Sequence, residues 1–130
     1  MDDTRTENGS GLDGRGIRVR AYFGERDRQG GKPLWSALLD YLRSHGAAGA
    51  TVTRGVAGYG AHSKIHAASI VDLSSDLPLV LEWIDSEARV AELLPGFEAM
   101  LQGGMITTDP VTIIRYQPHT DRTRQDRSPD

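Results

Sequence analysis

The arrangement of the chain follows from residues 49–66, Gly-Ala-Thr-Val-Thr-Arg-Gly-Val-Ala-Gly-Tyr-Gly-Ala-His-Ser-Lys-Ile-His. The first part predicts a β-strand, because Thr51, Val52 and Thr53 are β-branched and suit a pleated, half-buried surface. The second part predicts a loop, because its glycines allow positive φ and a close approach of the backbone to a ligand. A returning strand is predicted at residues 69–72. The stretch is therefore a hairpin with an enlarged tip, a kind of loop that commonly carries function.

The bulk composition describes one ordinary globular domain and excludes several classes of function. A length of 130 residues predicts a single domain with its own core. The formal net charge of −3 argues against a general nucleic-acid or membrane-surface role. The chain has no cysteine, so disulfides and thiolate metal sites are excluded.

The ends of the chain differ from its middle. Residues 1–15 and 118–130 are polar without periodic apolar positions, which predicts disordered tails around a folded domain at residues 16–117. No apolar run approaches the roughly 18 residues that a membrane-spanning helix needs. The acidic N-terminus does not have the pattern of a signal peptide. We therefore expect a cytoplasmic location.

Before the hairpin, the periodicity predicts a strand and then a helix. Residues 17–23 alternate between two faces, which is typical of a strand. Residues 24–32 form a charged loop, Pro33 suits the first helical position, and Gly46 is the predicted C-cap. The apolar stripe of this helix comprises Leu34, Trp35, Leu38, Leu39 and Leu42.

After the hairpin, the pattern predicts a strand, a helix and a last strand. The strands are predicted at residues 78–84 and 111–116, and Ser86 is placed to cap the helix between them. An internal proline, Pro95, predicts a kink or break in that helix. The helical stripe comprises Val90, Leu93, Leu94, Phe97, Met100 and Leu101. Acidic residues near the strand ends are interpreted as turn or cap residues: Asp72, Asp76 and Asp85.

The element order β-α-β-β-α-β predicts an α+β fold, a ferredoxin-like sandwich. Two right-handed β-α-β units would interleave into a four-stranded antiparallel sheet with both helices on one face. The loops at residues 24–32, 55–68 and 102–107 would then lie at the same end of the sheet. This convergence of glycine-bearing loops indicates a site there.

The face of the sheet without helices is predicted to carry apolar side chains as well. Not all of Tyr22, Val80, Trp83, Ile84 and Ile114 fit on the helix side. An apolar second face suggests burial against another subunit. The alternative is a monomer in which part of that face is simply less exposed.

Four segments carry a resemblance to a known family. They are Gly-Glu-Arg-Asp-Arg-Gln-Gly-Gly-Lys-Pro-Leu-Trp at residues 24–35, Gly-Ala-Thr-Val-Thr-Arg-Gly-Val-Ala-Gly-Tyr-Gly at 49–60, Ser-Asp-Leu-Pro-Leu-Val at 75–80 and Gly-Gly-Met-Ile-Thr at 103–107. With them, residues 18–117 resemble a PII-like bacterial family of unknown function, related to PII nitrogen-regulatory signalling proteins. The resemblance implies a homotrimer with sheets facing the three-fold axis. It also implies an adenine nucleotide between subunits and a partner such as a membrane transporter.

The resemblance extends to individual positions. The segment at residues 58–60 resembles the base of the PII T-loop, Gly103-Gly104 resembles the phosphate-contacting B-loop, and Ile114-Arg115 resembles the basic terminal strand. The lysine that ends the B-loop is replaced by Met105, and a second arginine is replaced by Gln117. AMP or ADP is therefore expected rather than ATP. The implied nucleotide site comprises Gly55, Gly58, Tyr59, Gly60, Lys64, Gly103, Gly104 and Arg115.

Other interpretations of these residues stay open. The loop at residues 24–32 holds cations that could clamp an anion, or its acidic residues could neutralise them in a solvated loop. His62 and His66 lack a third ligand nearby, so no metal is expected. The alternative function is a metal-homeostasis or structural trimer of the copper-tolerance type without nucleotide. A hydrolase similar to acylphosphatases ranks third, since no catalytic pair can be assembled and no enzyme activity is expected.

Overall fold

The computed structural model describes residues 14–60 and 76–118. The elements in these ranges are β1 (Gly14–Gly24), β2 (Arg28–Gln29), β3 (Lys32–Pro33), α1 (Leu34–Ser44), β4 (Thr51–Arg54), β5 (Pro78–Asp85), α2 (Glu87–Met100) and β6 (Met105–Ile113). Four strands form an antiparallel sheet in the order β4-β5-β1-β6. This confirms the ferredoxin-like α+β prediction. The predicted strand at residues 69–72 lies outside the described residues.

The central strand β1 organises the sheet, because it pairs with β5 on one side and β6 on the other. Its helix-facing residues Val19, Ala21 and Phe23 are buried, as the alternation predicts. The strand begins at Gly14, earlier than predicted, because Gly14 pairs with Ile113. The Gly-Arg-Gly segment at residues 14–16 has no apolar alternation, so the sequence pattern hides this extension.

The first helix ends in a glycine-dependent cap. His45 is the C-cap, and Gly46 follows with a φ of 80°. The Ala47 N–H donates to the Leu42 carbonyl at 2.9 Å and the Gly46 N–H donates to the Arg43 carbonyl at 3.2 Å, which is the Schellman pattern. Pro33 precedes the helix instead of opening it, and Trp35 is 37% exposed instead of lying in the buried stripe. The buried residues of α1 are Leu34, Ala37, Leu38 and Leu42.

The second helix is continuous through Pro95, so of the predicted kink or break the break does not occur. The carbonyl that the proline leaves without an N–H partner belongs to Ala91, an exposed residue on the solvent side. Ser86 caps the helix as predicted, since its hydroxyl accepts a hydrogen bond from the Arg89 N–H at 3.2 Å. Neither described helix is long and apolar enough to cross a membrane.

The strands differ from the prediction in two places. β6 begins at Met105 and ends at Ile113, whereas residues 111–116 were expected. It contains Pro110, which is tolerated because β6 is an edge strand with one side free of ladder bonds. The charged loop at residues 24–32 contains a miniature hairpin of β2 and β3, with Gly30 in the turn at a φ of 64°.

The two faces of the sheet differ in character. Trp83 lies on the helix side, fully buried against Phe97 with ring centroids 5.5 Å apart. The other side, which we call the open face, carries Tyr22, Val80 and Ile84 as predicted by their register. Ile114 is 85% exposed and lies beyond the end of β6, so it does not lie on the helix side either.

The open face also carries paired charges. Arg18 donates two hydrogen bonds to the Asp109 carboxylate, at 3.1 and 2.7 Å. Arg20 donates to Glu82 at 3.0 Å. These cross-strand pairs connect β1 with β6 and with β5. The open face is therefore an apolar surface crossed by neutralised ion pairs.

Candidate functional site

The predicted convergence of loops is present at one end of the sheet, which we call the loop end. Register places Gly24 opposite Pro78 and Tyr22 opposite Met105, so the end of β1 lies beside the beginnings of β5 and β6. The end of β4 lies there too, because its last residue pairs with β5 next to Pro78. The Glu25 carboxylate forms a salt bridge of 3.2 Å with Arg54, which ties the loop after β1 to the base of the hairpin loop.

The glycines at the base of the hairpin loop have different surroundings. A β-carbon added at Gly55 or Gly58 would lie 3.0 Å from Cγ of Pro78, so both positions favour glycine for packing. The Gly55 N–H also donates to the Pro78 carbonyl at 2.8 Å. Tyr59 is 72% exposed and Gly60 has open space around it. Lys64 lies outside the described residues.

The turn between α2 and β6 lies at the same end and depends on Gly104. Its φ is 90°, and a β-carbon there would overlap the carbonyl oxygen of Tyr22. Gly103 before it is half-buried, and Met105 after it is 59% exposed. The structure thus brings the predicted B-loop glycines to the loop end. It also gives Gly104 a role in the fold itself, independent of any ligand.

Arg115 lies at the opposite end of the sheet. β6 runs from Met105 to Ile113, which spans roughly 26 Å at about 3.3 Å per residue, and Arg115 follows its far end. One chain therefore does not bring Arg115 together with the glycines of the loop end. A site that contains both groups requires the Arg115 of another subunit.

An open cleft surrounds Arg115 at this far end. Its volume is about 670 Å³, and it is lined by residues 48–51, 82–84 and 111–116 together with Arg18. The connection from α1 to β4 forms one wall, and the segment after β6 forms the other. The two walls meet where the Tyr116 hydroxyl donates to the Ala48 carbonyl at 3.3 Å.

The charges in the cleft are not equivalent. The hydrogen bond from Arg18 holds the pKa of the Asp109 carboxyl below its usual range, and the same bond raises the pKa of Arg18. Arg18 is therefore fully committed to Asp109. Within residues 14–60 and 76–118, Arg115 has no carboxylate partner, and its hydrogen bond of 3.3 Å goes to the neutral side-chain amide of Gln117. Its charge is therefore not neutralised by the described residues. Ile84 and Arg115 both line the cleft. An apolar side chain and a positive charge together suit a ligand with a flat apolar part and a negative group.

The sequence pointed to Arg115 as a site residue but not to the other residues that line the cleft. Arg18 and Glu82 could have been placed on the open face from strand alternation alone. The wall at Ala48 could not have been predicted in this way. Its position follows from how α1 ends and from where the segment after β6 meets it.

The proposed anion clamp in the loop at residues 24–32 is weakened by the contacts found there. Lys32 forms a salt bridge of 2.7 Å with Asp40, which lowers the pKa of that carboxyl. Arg28 donates to the Gly31 carbonyl at 2.8 Å. The cations of this loop are Arg26, Arg28 and Lys32. Two of them therefore bond to groups of the same chain, which favours the solvated-loop interpretation.

Metal ligands do not cluster in the part of the chain that the structure describes. Residues 14–60 and 76–118 contain no group of three or more acidic or histidine side chains placed to hold an ion. The two histidines considered from the sequence, His62 and His66, lie outside these ranges.

Comparison with known proteins gives the family. The family described as "DUF190: Uncharacterized ACR, COG1993" matches residues 16–113. The chain belongs to this family. A UPF0166 protein of Aquifex aeolicus (strain VF5) is 34% identical over 96 residues, covering 74% of this chain and 90% of the relative. The prediction of a PII-like family of unknown function is confirmed.

Solved structures confirm the PII-like fold. CPII from Thiomonas intermedia K12, bound to ADP and bicarbonate, has a TM-score of 0.56 at 18% identity, covering 78% of this chain and 90% of that chain. The same protein bound to ADP, AMP and acetate has a TM-score of 0.54 at 17% identity, with coverage of 78% and 90%. At these identities the likeness establishes the fold alone.

Proposed function

We propose that this DUF190 protein is a cytoplasmic PII-like regulatory protein that binds an adenine nucleotide between the subunits of a homotrimer. The hairpin loop then signals the bound state to a partner protein. The observation that carries the proposal is the open cleft of about 670 Å³ beside Arg115. It is supported by the CPII structures, which share the fold and hold ADP or AMP.

The proposed site is divided between two chains. One subunit supplies the Arg115 cleft, whose half-buried Ile84 suits the flat face of adenine. Its neighbour supplies the loop end, where Gly58 and Gly60 of the hairpin base and the turn at Gly103 offer backbone N–H groups to phosphate. The N–H of Gly55 is already bonded to the Pro78 carbonyl, so Gly55 shapes the loop base. Arg115 contributes a charge-assisted hydrogen bond. This division explains why one sheet carries the two groups at opposite ends.

The proposed ligand is AMP or ADP in preference to ATP. Met105 is 59% exposed at the loop end, at the position where the resemblance expects a lysine. A thioether offers no positive charge to a terminal phosphate. Losing one charge-assisted hydrogen bond costs about 1.5–3 kcal/mol, or roughly ten- to a hundredfold in affinity.

The proposed output is the hairpin loop. At its base Val56 is 95% exposed and Tyr59 is 72% exposed. Apolar side chains presented so openly beside glycines suit contact with a partner protein. A membrane transporter is the partner that the resemblance implies, and it is part of this proposal.

Calorimetric titration tests the ligand. ATP, ADP, AMP and cyclic AMP are each titrated into the protein, beside copper and zinc ions. We expect binding of ADP and AMP that is at least tenfold tighter than binding of ATP. Binding of copper or zinc without any nucleotide would contradict the proposal and support the copper-tolerance alternative.

Replacement of Arg115 tests the site. Arg115→Ala should weaken ADP binding by roughly ten- to a hundredfold, because the phosphate loses a charge-assisted partner. The matched control is Arg43→Ala, which removes the same charge from the exposed last turn of α1 and should leave the affinity unchanged. Light scattering of both variants checks that assembly is intact. Equal ADP affinity in wild type and Arg115→Ala would place the nucleotide elsewhere.

A further inference from the structure

The backbone of Ala48 is held through both its N–H and its carbonyl at the wall of the cleft. Its N–H donates to a carboxylate oxygen of Asp85 at 2.9 Å. Its carbonyl accepts a hydrogen bond from the Tyr116 hydroxyl at 3.3 Å. The two peptide groups that flank the Ala48 Cα are therefore restrained, one from the end of β5 and the other from the segment that follows β6.

Asp85 anchors this peptide to the sheet. It is the last residue of β5 and is 3% exposed. Its second oxygen accepts the Ser86 N–H at 2.9 Å, so two backbone donors fix the carboxylate in one orientation. The turn-or-cap interpretation of Asp85 from the sequence accounts for the Ser86 contact. The Ala48 contact, across 37 residues of sequence, is additional.

Tyr116 joins the two walls of the cleft. The last ladder pair of β6 is Ile113 with Gly14, and the chain beyond it has left the sheet. Tyr116 is half-buried and reaches from this segment to the opposite wall. The Schellman cap of α1 delivers the chain directly to that wall, because Ala47 is bonded back to Leu42. The contact between Tyr116 and Ala48 therefore bridges the two walls of the cleft.

We propose that Asp85 and Tyr116 are positioning residues, which set the width of the cleft by fixing the backbone on both sides of Ala48. This inference rests on the proposed nucleotide-binding function and deepens it. Neither side chain needs to contact the ligand. Asp85 holds the wall against the sheet, and Tyr116 holds the segment that bears Arg115 at the right distance from that wall. Loss of the bond lets the two walls separate, which places Arg115 less accurately for the phosphate.

The test uses the same substitution at two tyrosines. Tyr116→Phe removes only the hydroxyl that bonds Ala48. Tyr41→Phe is the matched control, because it removes a hydroxyl that donates to the Leu93 carbonyl at 2.9 Å, between the two helices. Two quantities are measured on the full chain, hydrogen exchange at residues 48–51 in the free protein and the association and dissociation rates of ADP.

We expect faster hydrogen exchange at residues 48–51 in Tyr116→Phe and wild-type exchange there in Tyr41→Phe. Dissociation of ADP should accelerate by about threefold to tenfold, the range for loss of one neutral hydrogen bond, with little change in association. Asp85→Asn provides a second variant, since an amide has only one acceptor oxygen for two N–H donors. Its effect on ADP dissociation should not add fully to that of Tyr116→Phe, because both act on the backbone of the same residue, Ala48.

Two outcomes would overturn the inference. One is unchanged exchange at residues 48–51 in Tyr116→Phe. The other is wild-type dissociation of ADP despite faster exchange, because the bond would then hold the wall without shaping the site. Failure of wild type to bind any adenine nucleotide would instead refute the proposed function, and with it a positioning role toward that ligand. Wild-type titration thus separates the two failures.

Discussion

At position 104 the chain needs a residue without a β-carbon. Gly104 has a φ of 90°, and an added β-carbon would overlap the Tyr22 carbonyl oxygen on β1. Positive φ and a backbone overlap are both costly for any other residue. This residue therefore contributes to the fold before any ligand arrives, and loss of binding in a Gly104 variant would not by itself identify a phosphate contact.

We predict that Gly104→Ala lowers the free energy of unfolding by more than about 1 kcal/mol, because the new β-carbon is strained and displaces β1. Gly31→Ala is the control, since Gly31 has ordinary φ and nothing within 4 Å of an added β-carbon. Urea denaturation of both variants measures the difference. Equal stability of Gly104→Ala and wild type would show that the turn rearranges freely.

A second prediction at residue scale concerns acid. The pKa of Asp109 is lowered in the folded protein by its hydrogen bonds from Arg18. A carboxyl with a lowered folded pKa contributes stability above its unfolded pKa, near 4, and loses that contribution as pH falls through the folded value. Asp109→Asn should therefore flatten the fall in stability below about pH 4. Urea denaturation at several pH values and one protein concentration measures this.

Arg18→Gln provides the check on that interpretation. It leaves the Asp109 carboxylate in place but removes the guanidinium charge and its paired hydrogen bonds, which lower the pKa of that carboxyl. The fall in stability below about pH 4 should flatten in the same way as in Asp109→Asn. If stability falls below about pH 4 as steeply in both variants as in wild type, other carboxylates control the acid sensitivity.

At the scale of elements, the start of α2 offers a direct test. Ser86→Ala removes the hydroxyl that accepts the Arg89 N–H and should lower the free energy of unfolding by about 1 kcal/mol. Ser44→Ala makes the same change in the exposed last turn of α1, where the hydroxyl bonds only nearby groups, and should be close to neutral. Thermal or urea denaturation compares them. A larger loss in Ser44→Ala would contradict the capping argument.

Elements with strong local signals were predicted well from the sequence, and the misses share a physical cause. Alternation on β1 and the Ser86 cap are local features, so the pattern identifies them. The early start of β6 was hidden because Thr-Thr-Asp-Pro at residues 107–110 is typical of a turn, and only its edge position makes Pro110 acceptable. Continuity of α2 through Pro95 likewise depends on which side of the helix faces solvent.

For the candidate site, the sequence predicted which loops lie together, but not that Arg115 lies at the other end of the sheet from them. Element order fixes strand directions, so the loops that meet at the loop end were predictable. The same directions place Arg115 away from that end, but the resemblance groups it with those loops, because it assigns a role to a residue without saying which subunit delivers it. The cleft depends on the meeting of Ala48 with Tyr116, residues 68 positions apart, which no local pattern indicates.

At the scale of the whole molecule, the trimer is the prediction to test. Light scattering should give a mass of three times the 14.2 kDa chain. Val80→Asp should break the assembly, because Val80 is half-buried on the open face and an unpaired charge would be buried there. Val56→Asp, at a position 95% exposed on the hairpin loop, is the matched control and should remain trimeric. A wild-type mass of one chain at micromolar concentration would refute the assembly.

The separation of the two half-sites along one sheet has a thermodynamic consequence. A lone chain holds each half and never a whole site, so under the proposed arrangement nucleotide and subunits bind one another together. Nucleotide then lowers the protein concentration at which trimers dissociate, and dilution of the protein weakens its apparent affinity for nucleotide by the same coupling. The amount of protein in the cell would therefore help to set the nucleotide concentration at which it responds.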